Sequence, residues 1–179
     1  MSTADHRMRE YYDRGAQGLK RIYEDFPISV HTRETLDDLT RRVAGKDVLE
    51  IAGGTGFFAR VVSEVARSLV VTDVAAGMLA EARAALADRP HVSVREADAY
   101  GLAAVPGVYG GAFALHWFSH VPYERHAEFL SGVNRKVAFD GVFFSLITSS
   151  CRPTSLTGAT ARTIPSRVGR SRMVRPTRS

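Results

Sequence analysis

The 179-residue chain lacks several features that would set its class directly. It has a single cysteine, Cys151, which excludes an intramolecular disulfide and a metal site built from cysteines. No apolar run approaches the roughly 18 residues of a membrane-spanning helix, and the polar N-terminus contains no signal-peptide core. No internal repeat or interdomain linker is visible before the C-terminal tail. We therefore expect one soluble, cytoplasmic domain with its own hydrophobic core and no bound metal.

Acidic residues are absent from the end of the chain. Residues 146–179 contain seven arginines, no acid and no aromatic residue, and 22 of these 34 residues are Arg, Ser, Thr or Pro. The net charge of +5 comes from this tail, because residues 1–145 carry 17 basic and 19 acidic side chains. A basic block of this kind is typical of a disordered extension. We expect neither a nucleic-acid partner nor a membrane partner.

The stretch that organises the chain is VLEIAGGTGFFAR, residues 48–60. Its first residues predict a short buried strand, with Glu50 near the carboxyl end. The glycines that follow permit a tight turn whose backbone approaches a ligand closely. Apolar residues at helical spacing then predict a helix, and they are Phe58, Val61, Val62 and Val65. A glycine-rich turn between strand and helix predicts a ligand site at the carboxyl edge of a parallel sheet.

Two cofactors fit the glycine pattern. The order Glu50, Ala52, Gly54, Gly56 resembles motif I of the class I S-adenosylmethionine-dependent methyltransferases, with Ala52 in place of the first glycine of Gly-x-Gly-x-Gly. Gly54, Gly56 and Ala59 also match the G-x-G-x-x-G/A fingerprint of dinucleotide binding. Glu50 favours the methyltransferase, since an acid attracts the ammonium group of S-adenosylmethionine and repels a pyrophosphate.

Two further acids follow the next two predicted strands. Asp73 ends the strand over residues 69–72, and Asp98 follows the strand over residues 92–94. The resemblance implies that Asp73 accepts both ribose hydroxyls and that Asp98 accepts from the adenine amino group. In the dinucleotide interpretation Asp73 is the ribose acid as well. Three acids at the ends of three successive strands predict a nucleotide site.

The resemblance implies a wider set of cofactor contacts. Val74 and Met78 are expected to line the adenine, and Ala99 to present its backbone amide to the ring. Met78 is equally explained as part of the buried face of a helix. The N-terminal region of related enzymes folds over the cofactor, so Tyr12 is expected to close the pocket or to pack on the domain. The turn completes the expected set with Ala52, Gly53, Gly54 and Gly56.

A fourth predicted strand runs into a loop that contains His116, Trp117 and His120. Related enzymes place substrate-facing residues after this strand, and the pKa of histidine suits general-base catalysis. His116 and His120 are therefore candidate catalytic residues, although methyl transfer from a sulfonium also proceeds by proximity and orientation alone. The Pro-Pro-aromatic signature of nucleic-acid amino methylation is absent, which favours a small-molecule acceptor.

Predicted strands and helices alternate from residue 33 to residue 147, the pattern of a doubly wound, mostly parallel, Rossmann-like α/β sheet. A helix with Thr32 as N-cap is expected before the first strand, and a helix over residues 124–137 before a fifth strand over 141–147. The expected division is an N-terminal cap segment (1–31), a methyltransferase domain (32–147) and a basic, disordered tail (148–179). The alternatives to methyl transfer are an NAD(P)-dependent oxidoreductase and an inactive, truncated domain.

The tail stands where a class I methyltransferase places its remaining C-terminal strands. Its composition offers too little apolar surface to offset the ordering entropy of a hairpin. One explanation is a native basic extension. We favour a reading-frame slip near Ser145, which would leave the domain without its last strands, marginally stable and inactive.

The coding DNA tests the frame slip. LITSSCR, residues 146–152, can be encoded as CTG ATA ACC TCG TCG TGC CGN. Reading from the third base gives Asp-Asn-Leu-Val-Val-Pro, which resembles the end of the fifth strand in related enzymes. We expect the alternative frame to continue with a strand-like pattern. A stop codon soon after residue 150, or no such pattern, would show that the frame is native.

Overall fold

The computed structural model describes residues 7–16, 18 and 30–146. The strands are β1 (Asp47–Ile51), β2 (Ser68–Asp73), β3 (Val92–Glu96), β4 (Tyr109–Leu115) and β5 (Val137–Leu146). The helices are α1 (residues 7–16), α2 (Val30–Val43), α3 (Phe57–Val62), α4 (Ala76–Ala85) and α5 (His126–Lys136). Among these helices, none combines the length and apolar character needed to cross a membrane.

All five strands form one parallel sheet in the order β3-β2-β1-β4-β5. The central strand β1 pairs Glu50 with Val71 of β2 on one side and with Phe113 of β4 on the other. The chain moves outward from β1 to β3 and then continues on the opposite side of β1. The loops after β1 and β4 diverge at this reversal, which leaves a crevice at the carboxyl ends of the strands. This is the Rossmann-like sheet that the sequence predicts.

Alternating residues of β1 and β4 build a core on each face of the sheet. Val48 and Phe113 belong to a buried cluster with α2 and α3. Leu49 and Ala112 belong to a second cluster that includes α5. Side chains of a strand point alternately to the two faces, so the burial of every β1 residue from 48 to 51 requires helices on both sides. The central strands are thereby fixed where they deliver the loops of the crevice.

Two predicted boundaries near the start of the domain are wrong. Thr32 is not the N-cap of α2, because the helix begins at Val30 and places buried Thr32 in the same stripe as Leu36 and Leu39. Val65 is not part of the helix after the glycine turn, because α3 ends at Val62 and Val65 is 37% exposed. At that end the Ser63 hydroxyl donates to the carbonyl of residue 60, a bond that competes with a continued helix.

The predicted boundary between the last helix and strand is also wrong. Val137 begins β5 instead of ending α5, so the strand starts four residues before Gly141. β-branched and aromatic residues such as Val137 and Phe139 favour a strand. The register with β4 shifts between Tyr109 and Gly111, and this irregularity accommodates the longer strand. The predicted tail, 148–179, and residues 1–6, 17 and 19–29 lie outside the described residues.

Two non-glycine residues of the described chain have a positive φ, and both follow a strand directly. Ala52 follows β1 with φ +54°, and His116 follows β4 with φ +63°. A left-handed conformation places Cβ close to the following carbonyl oxygen and costs roughly 1–2 kcal/mol for a residue other than glycine. Since β1 and β4 are neighbours, this strain is concentrated at the carboxyl edge where the crevice lies.

Ala52→Gly is expected to raise the free energy of unfolding by about 0.5–1 kcal/mol, because relief of the left-handed strain exceeds the added entropy of the unfolded chain. Chemical denaturation measures the change. Ala80→Gly, at an exposed position in the middle of α4, is the control, and it should lower stability by roughly 0.5–1 kcal/mol as glycine does in an ordinary helix. A loss of stability in both variants would show that position 52 carries no strain.

Candidate functional site

A cavity of about 230 Å³ lies at the carboxyl edge of the sheet. The loops after the first four strands and one side of α1 form its wall. These loops, with the adjoining strand ends and helix N-termini, contribute Ala52, Gly53, Gly54, Thr55, Phe57, Phe58, Asp73, Val74, Ala75, Met78, Ala97, Asp98, Ala99, Tyr100, Leu115, His116, Trp117 and His120, and α1 contributes Met8, Arg9 and Tyr12. The cavity therefore brings together residues that are more than 100 positions apart in sequence.

The backbone of the glycine turn forms the part of the wall above Glu50. A Cβ at Gly53 would lie 2.8 Å from Glu50 Oε2 and 2.6 Å from Val71 Cγ1, so only glycine fits there. Ala52 and Gly54 also line the cavity, and Gly54 has φ +58°. The turn is thus pressed against the buried end of β1, and its backbone faces the cavity.

Gly56 serves the packing of two helices. It lies outside the cavity lining, with φ +80° at the N-cap of α3. A Cβ there would come within 3.1–3.3 Å of Leu86 and Ala82. The close approach of α3 to α4 accounts for this glycine without a ligand.

The Asp73 carboxylate joins the first two loops of the cavity. Its Oδ2 accepts from the Gly54 N–H at 2.9 Å, and its Oδ1 accepts from the Ala75 N–H at 2.9 Å. Burial raises the pKa of Asp73 even though these backbone donors act in the opposite direction. A carboxylate has about four acceptor positions, so each oxygen retains one for a ligand hydroxyl.

Glu50 lies below the cavity and does not line it. Its side chain is 1% exposed, and Oε2 has no hydrogen-bond partner among the described residues. Burial, and then the negative charge of Asp73, raise the pKa of Glu50 well above its ordinary value of 4.5. Neither acid forms an ion pair with a side chain in the described part of the chain. The cavity floor is therefore an acidic region with no matching cation.

The third acid, Asp98, lines the cavity beyond β3. Its Oδ1 accepts from the Tyr100 N–H at 2.9 Å, which fixes the turn and leaves Oδ2 without a partner among the described residues. Val74 and Ala99 line the same cavity. Met78 satisfies both explanations given for it, because it lines the cavity and is buried in a cluster with α1.

Helix α1 lies against the cavity and is held at two points. Asp13 Oδ1 accepts from the Gly77 N–H at 3.0 Å, at the start of α4. Arg9 forms an ion pair with Glu96 at 3.0 Å, at the end of β3. Between them, Tyr12 lines the cavity, and its ring lies 6.4 Å from that of His120. Burial is the main cause of the raised pKa of the Tyr12 hydroxyl.

The loop after β4 supplies three rings to the opposite wall. The His116 ring lies 5.7 Å from Phe58, and the Trp117 ring lies 6.4 Å from His120. Burial, followed by the proximity of His120, lowers the pKa of His116 below 6.5. Trp117 Nε1 is buried without a hydrogen-bond partner among the described residues. This wall is aromatic, in contrast to the acidic floor.

Sequence reasoning did not identify several lining residues. Arg9 is placed by its partner Glu96, 87 positions away, and no local pattern signals such a pair. The sequence pattern predicts only that Phe57 and Phe58 belong to a helix. They begin α3, and both line the cavity. Their position immediately after a glycine turn is a signal that sequence reasoning could use.

The comparisons with known proteins identify the family. A family model described as "Methyltransferase domain" matches residues 48–141, just over half of the chain. The chain therefore belongs to this family of methyltransferase domains. Among curated proteins, none matches the sequence.

Solved structures agree with this assignment. A DhpI–SAH complex is 30% identical to this chain, with a TM-score of 0.64. The matched region covers 76% of this chain and 66% of the DhpI chain. A DhpI–SAM–HEP complex is 28% identical, with a TM-score of 0.63, and the matched region covers 79% of this chain and 65% of the DhpI chain. The chain thus spans slightly less than two thirds of the length of these relatives. Magnesium protoporphyrin IX methyltransferase from Synechocystis PCC 6803, solved with bound SAM, shares the fold. It is 19% identical with a TM-score of 0.61, and the matched region covers 76% of this chain and 73% of that methyltransferase chain.

The buried acid gives a pH-dependent prediction. Because folding raises the pKa of Glu50 above 4.5, its contribution to stability is complete below that value and is lost as pH rises through the folded-state pKa. Glu50→Gln should therefore melt at a higher temperature than the parent protein at pH 8, and the difference should shrink toward pH 4. Glu64→Gln, at an exposed site, is the control. An equal pH dependence in parent and Glu50→Gln would contradict the burial of a titrating carboxyl group.

Proposed function

We propose that the cavity binds S-adenosylmethionine and that the domain transfers its methyl group to a small-molecule acceptor. The observation that carries this proposal is the acidic floor, Glu50 and Asp73, which has no matching cation among the described side chains. A ligand with an ammonium and a sulfonium group supplies the missing positive charge. A dinucleotide would instead bring a pyrophosphate toward two acids. The complexes of the DhpI relatives with SAH and SAM support the same choice.

The loops after β1, β2 and β3 each offer a group for such a ligand. We assign the ribose hydroxyls to Asp73, whose two oxygens each keep an acceptor position. The adenine amino group is assigned to the free Oδ2 of Asp98, with Val74, Met78 and Ala99 beside the ring. Glu50 is too buried for direct contact, and a cationic group above it would favour its charged form.

The bound cofactor would supply an electrophilic methyl group on a positively charged sulfur. The chain's own contribution is to orient this group and to limit the access of water. The turn over residues 52–54 presents its backbone to the ligand, and α1 covers the opposite side through Arg9 and Tyr12. Holding two reactants in a reactive geometry is by itself a large part of catalysis for a displacement of this type.

Two further assignments belong to this proposal. The acceptor is a small molecule and not a nucleic acid, because the ring-lined wall after β4 belongs to a partly open cavity and not to an exposed basic surface. The catalytic unit corresponds to residues 32–147 together with the N-terminal segment that contains Tyr12. His116 and His120 are the candidate residues on the acceptor side.

Calorimetry with S-adenosylmethionine, S-adenosylhomocysteine and NAD tests the cofactor, and Asp98→Asn tests its orientation. Asparagine keeps an oxygen for the Tyr100 N–H but replaces the free Oδ2 with a donor. Loss of a hydrogen bond to a charged acceptor should weaken S-adenosylhomocysteine binding by about 1.5–3 kcal/mol, or roughly 10- to 150-fold.

Asp88→Asn is the matched control, because Asp88 pairs with Arg60 on the surface and away from the cavity. This variant should bind S-adenosylhomocysteine like the parent protein. Binding of NAD alone would replace the proposal with the oxidoreductase. Binding of no nucleotide would favour an inactive domain.

A further inference from the structure

The four histidines whose side chains are described fall into two groups. His91 and His126 each bring Nε2 within 2.8 Å and 3.0 Å of a backbone carbonyl, that of Ser63 and of Val121 respectively. These two imidazoles are structural. His116 and His120 line the cavity, and neither ring has a hydrogen-bond partner among the described residues. Two imidazoles are thus available to a ligand.

His116 is the better held of the two. Its backbone N–H donates to the Leu146 carbonyl at 3.2 Å, and its own carbonyl accepts from the Ser119 hydroxyl at 3.1 Å. Its ring packs on Phe58 at 5.7 Å. The positive φ of +63° is strain kept by these contacts, and such outliers are concentrated at functional sites. The fold therefore tolerates a strained backbone at the position that brings this imidazole to the cavity wall.

The protonation state of His116 suits proton acceptance. Burial, and then His120, lower the pKa of His116, which favours the neutral imidazole that can accept a proton. The ionisable groups that share the cavity with it are Arg9, Tyr12, Asp73, Asp98, Tyr100 and His120. Of these, His120 is the neighbour whose charge lowers the pKa of His116, after the larger effect of burial.

The wall around His116 indicates the chemistry of the acceptor. Phe58, Trp117, His120 and Tyr12 present rings to the cavity, and Arg9 is the one basic side chain other than histidine in the described lining, already paired with Glu96. Such a wall suits a flat apolar body. Among the described residues, it offers an acceptor carboxylate no unpaired basic side chain other than histidine, and the ring wall itself offers an acceptor ammonium no carboxylate.

Building on the proposed function, we propose that His116 is the catalytic base that accepts the proton of an acceptor hydroxyl, and that the acceptor is a phenol-like compound with the hydroxyl on a flat ring. As His116 takes the proton, the hydroxyl oxygen forms a bond to the methyl carbon of the sulfonium. The carbon–sulfur bond breaks, and its electron pair stays on sulfur. The products are a methyl ether, S-adenosylhomocysteine and an imidazolium that releases its proton to solvent.

The experiment uses the full chain loaded with S-adenosylhomocysteine and follows the imidazole resonances by NMR. The probes are 4-methylphenol, 4-methylbenzylamine and 4-methylbenzoate, which share one ring and differ in the acceptor group. Addition of 4-methylphenol at millimolar concentration should shift the His116 resonances, and the amine and the carboxylate should not. Before any addition, His116 should titrate with a midpoint below 6.5.

Kinetics with S-adenosylmethionine and 4-methylphenol give a second readout. His116→Asn retains a residue that tolerates positive φ and removes the base, so methyl transfer should fall by roughly 10²- to 10⁴-fold while S-adenosylhomocysteine affinity stays unchanged. The acidic limb of the parent pH profile should also disappear. His91→Asn, at a structural histidine, should leave both quantities as in the parent protein.

Three results would overturn this assignment. The first is a His116 resonance that does not respond to 4-methylphenol, and the second is transfer to the amine or the carboxylate that persists in His116→Asn. The third is an acidic limb that His120→Asn removes and His116→Asn retains. Failure of S-adenosylhomocysteine to bind the parent protein would instead refute the proposed function itself, so the two failures are distinguishable.

Discussion

The cavity depends on one carboxylate, that of Asp73, which holds two loops at a fixed separation. One oxygen accepts the Gly54 N–H of the turn after β1, and the other accepts the Ala75 N–H at the start of α4. Without it, the backbone of the turn and the N-terminus of α4 would both face a buried cavity with unpaired donors. The same carboxylate is the acid assigned to the ribose. The structural role therefore falls on the same carboxylate as the binding role that we assign, whereas Asp98 offers an oxygen that no described residue uses.

Stability and function are in conflict at this edge of the sheet. Glu50 is buried, and no described residue is a hydrogen-bond partner for its Oε2, while both Ala52 and His116 adopt left-handed backbone conformations. Each of these features costs free energy in the ligand-free domain. Elsewhere, β1 and its helices pack without such penalties, and the buried residues of both faces are almost entirely apolar. Binding of the cationic ligand that we assign to this edge would offset these free-energy costs.

Sequence reasoning succeeds where a side chain follows a strand in a fixed register. Asp73 and Asp98 could be placed together because parallel strands end at one edge. It does not predict what tertiary packing decides: Gly56 is packed against Ala82 and Leu86, and Glu50 is buried below the cavity instead of lining it. The ion pair of Arg9 with Glu96 depends on how α1 docks, which no local pattern encodes. The start of β5 depends on an irregular register with β4.

The last described residue of β5 connects the acceptor side to the question of the reading frame. The Leu146 carbonyl accepts the His116 N–H, so β5 anchors the strained residue at the end of β4. A carbonyl is present whichever side chain stands at position 146, and the anchor is therefore independent of the frame that is translated from that codon. What the frame determines is the chain that follows, beside a strand that pairs only with β4 in the described sheet. Every described residue that lines the cavity thus precedes the point at which the two frames diverge.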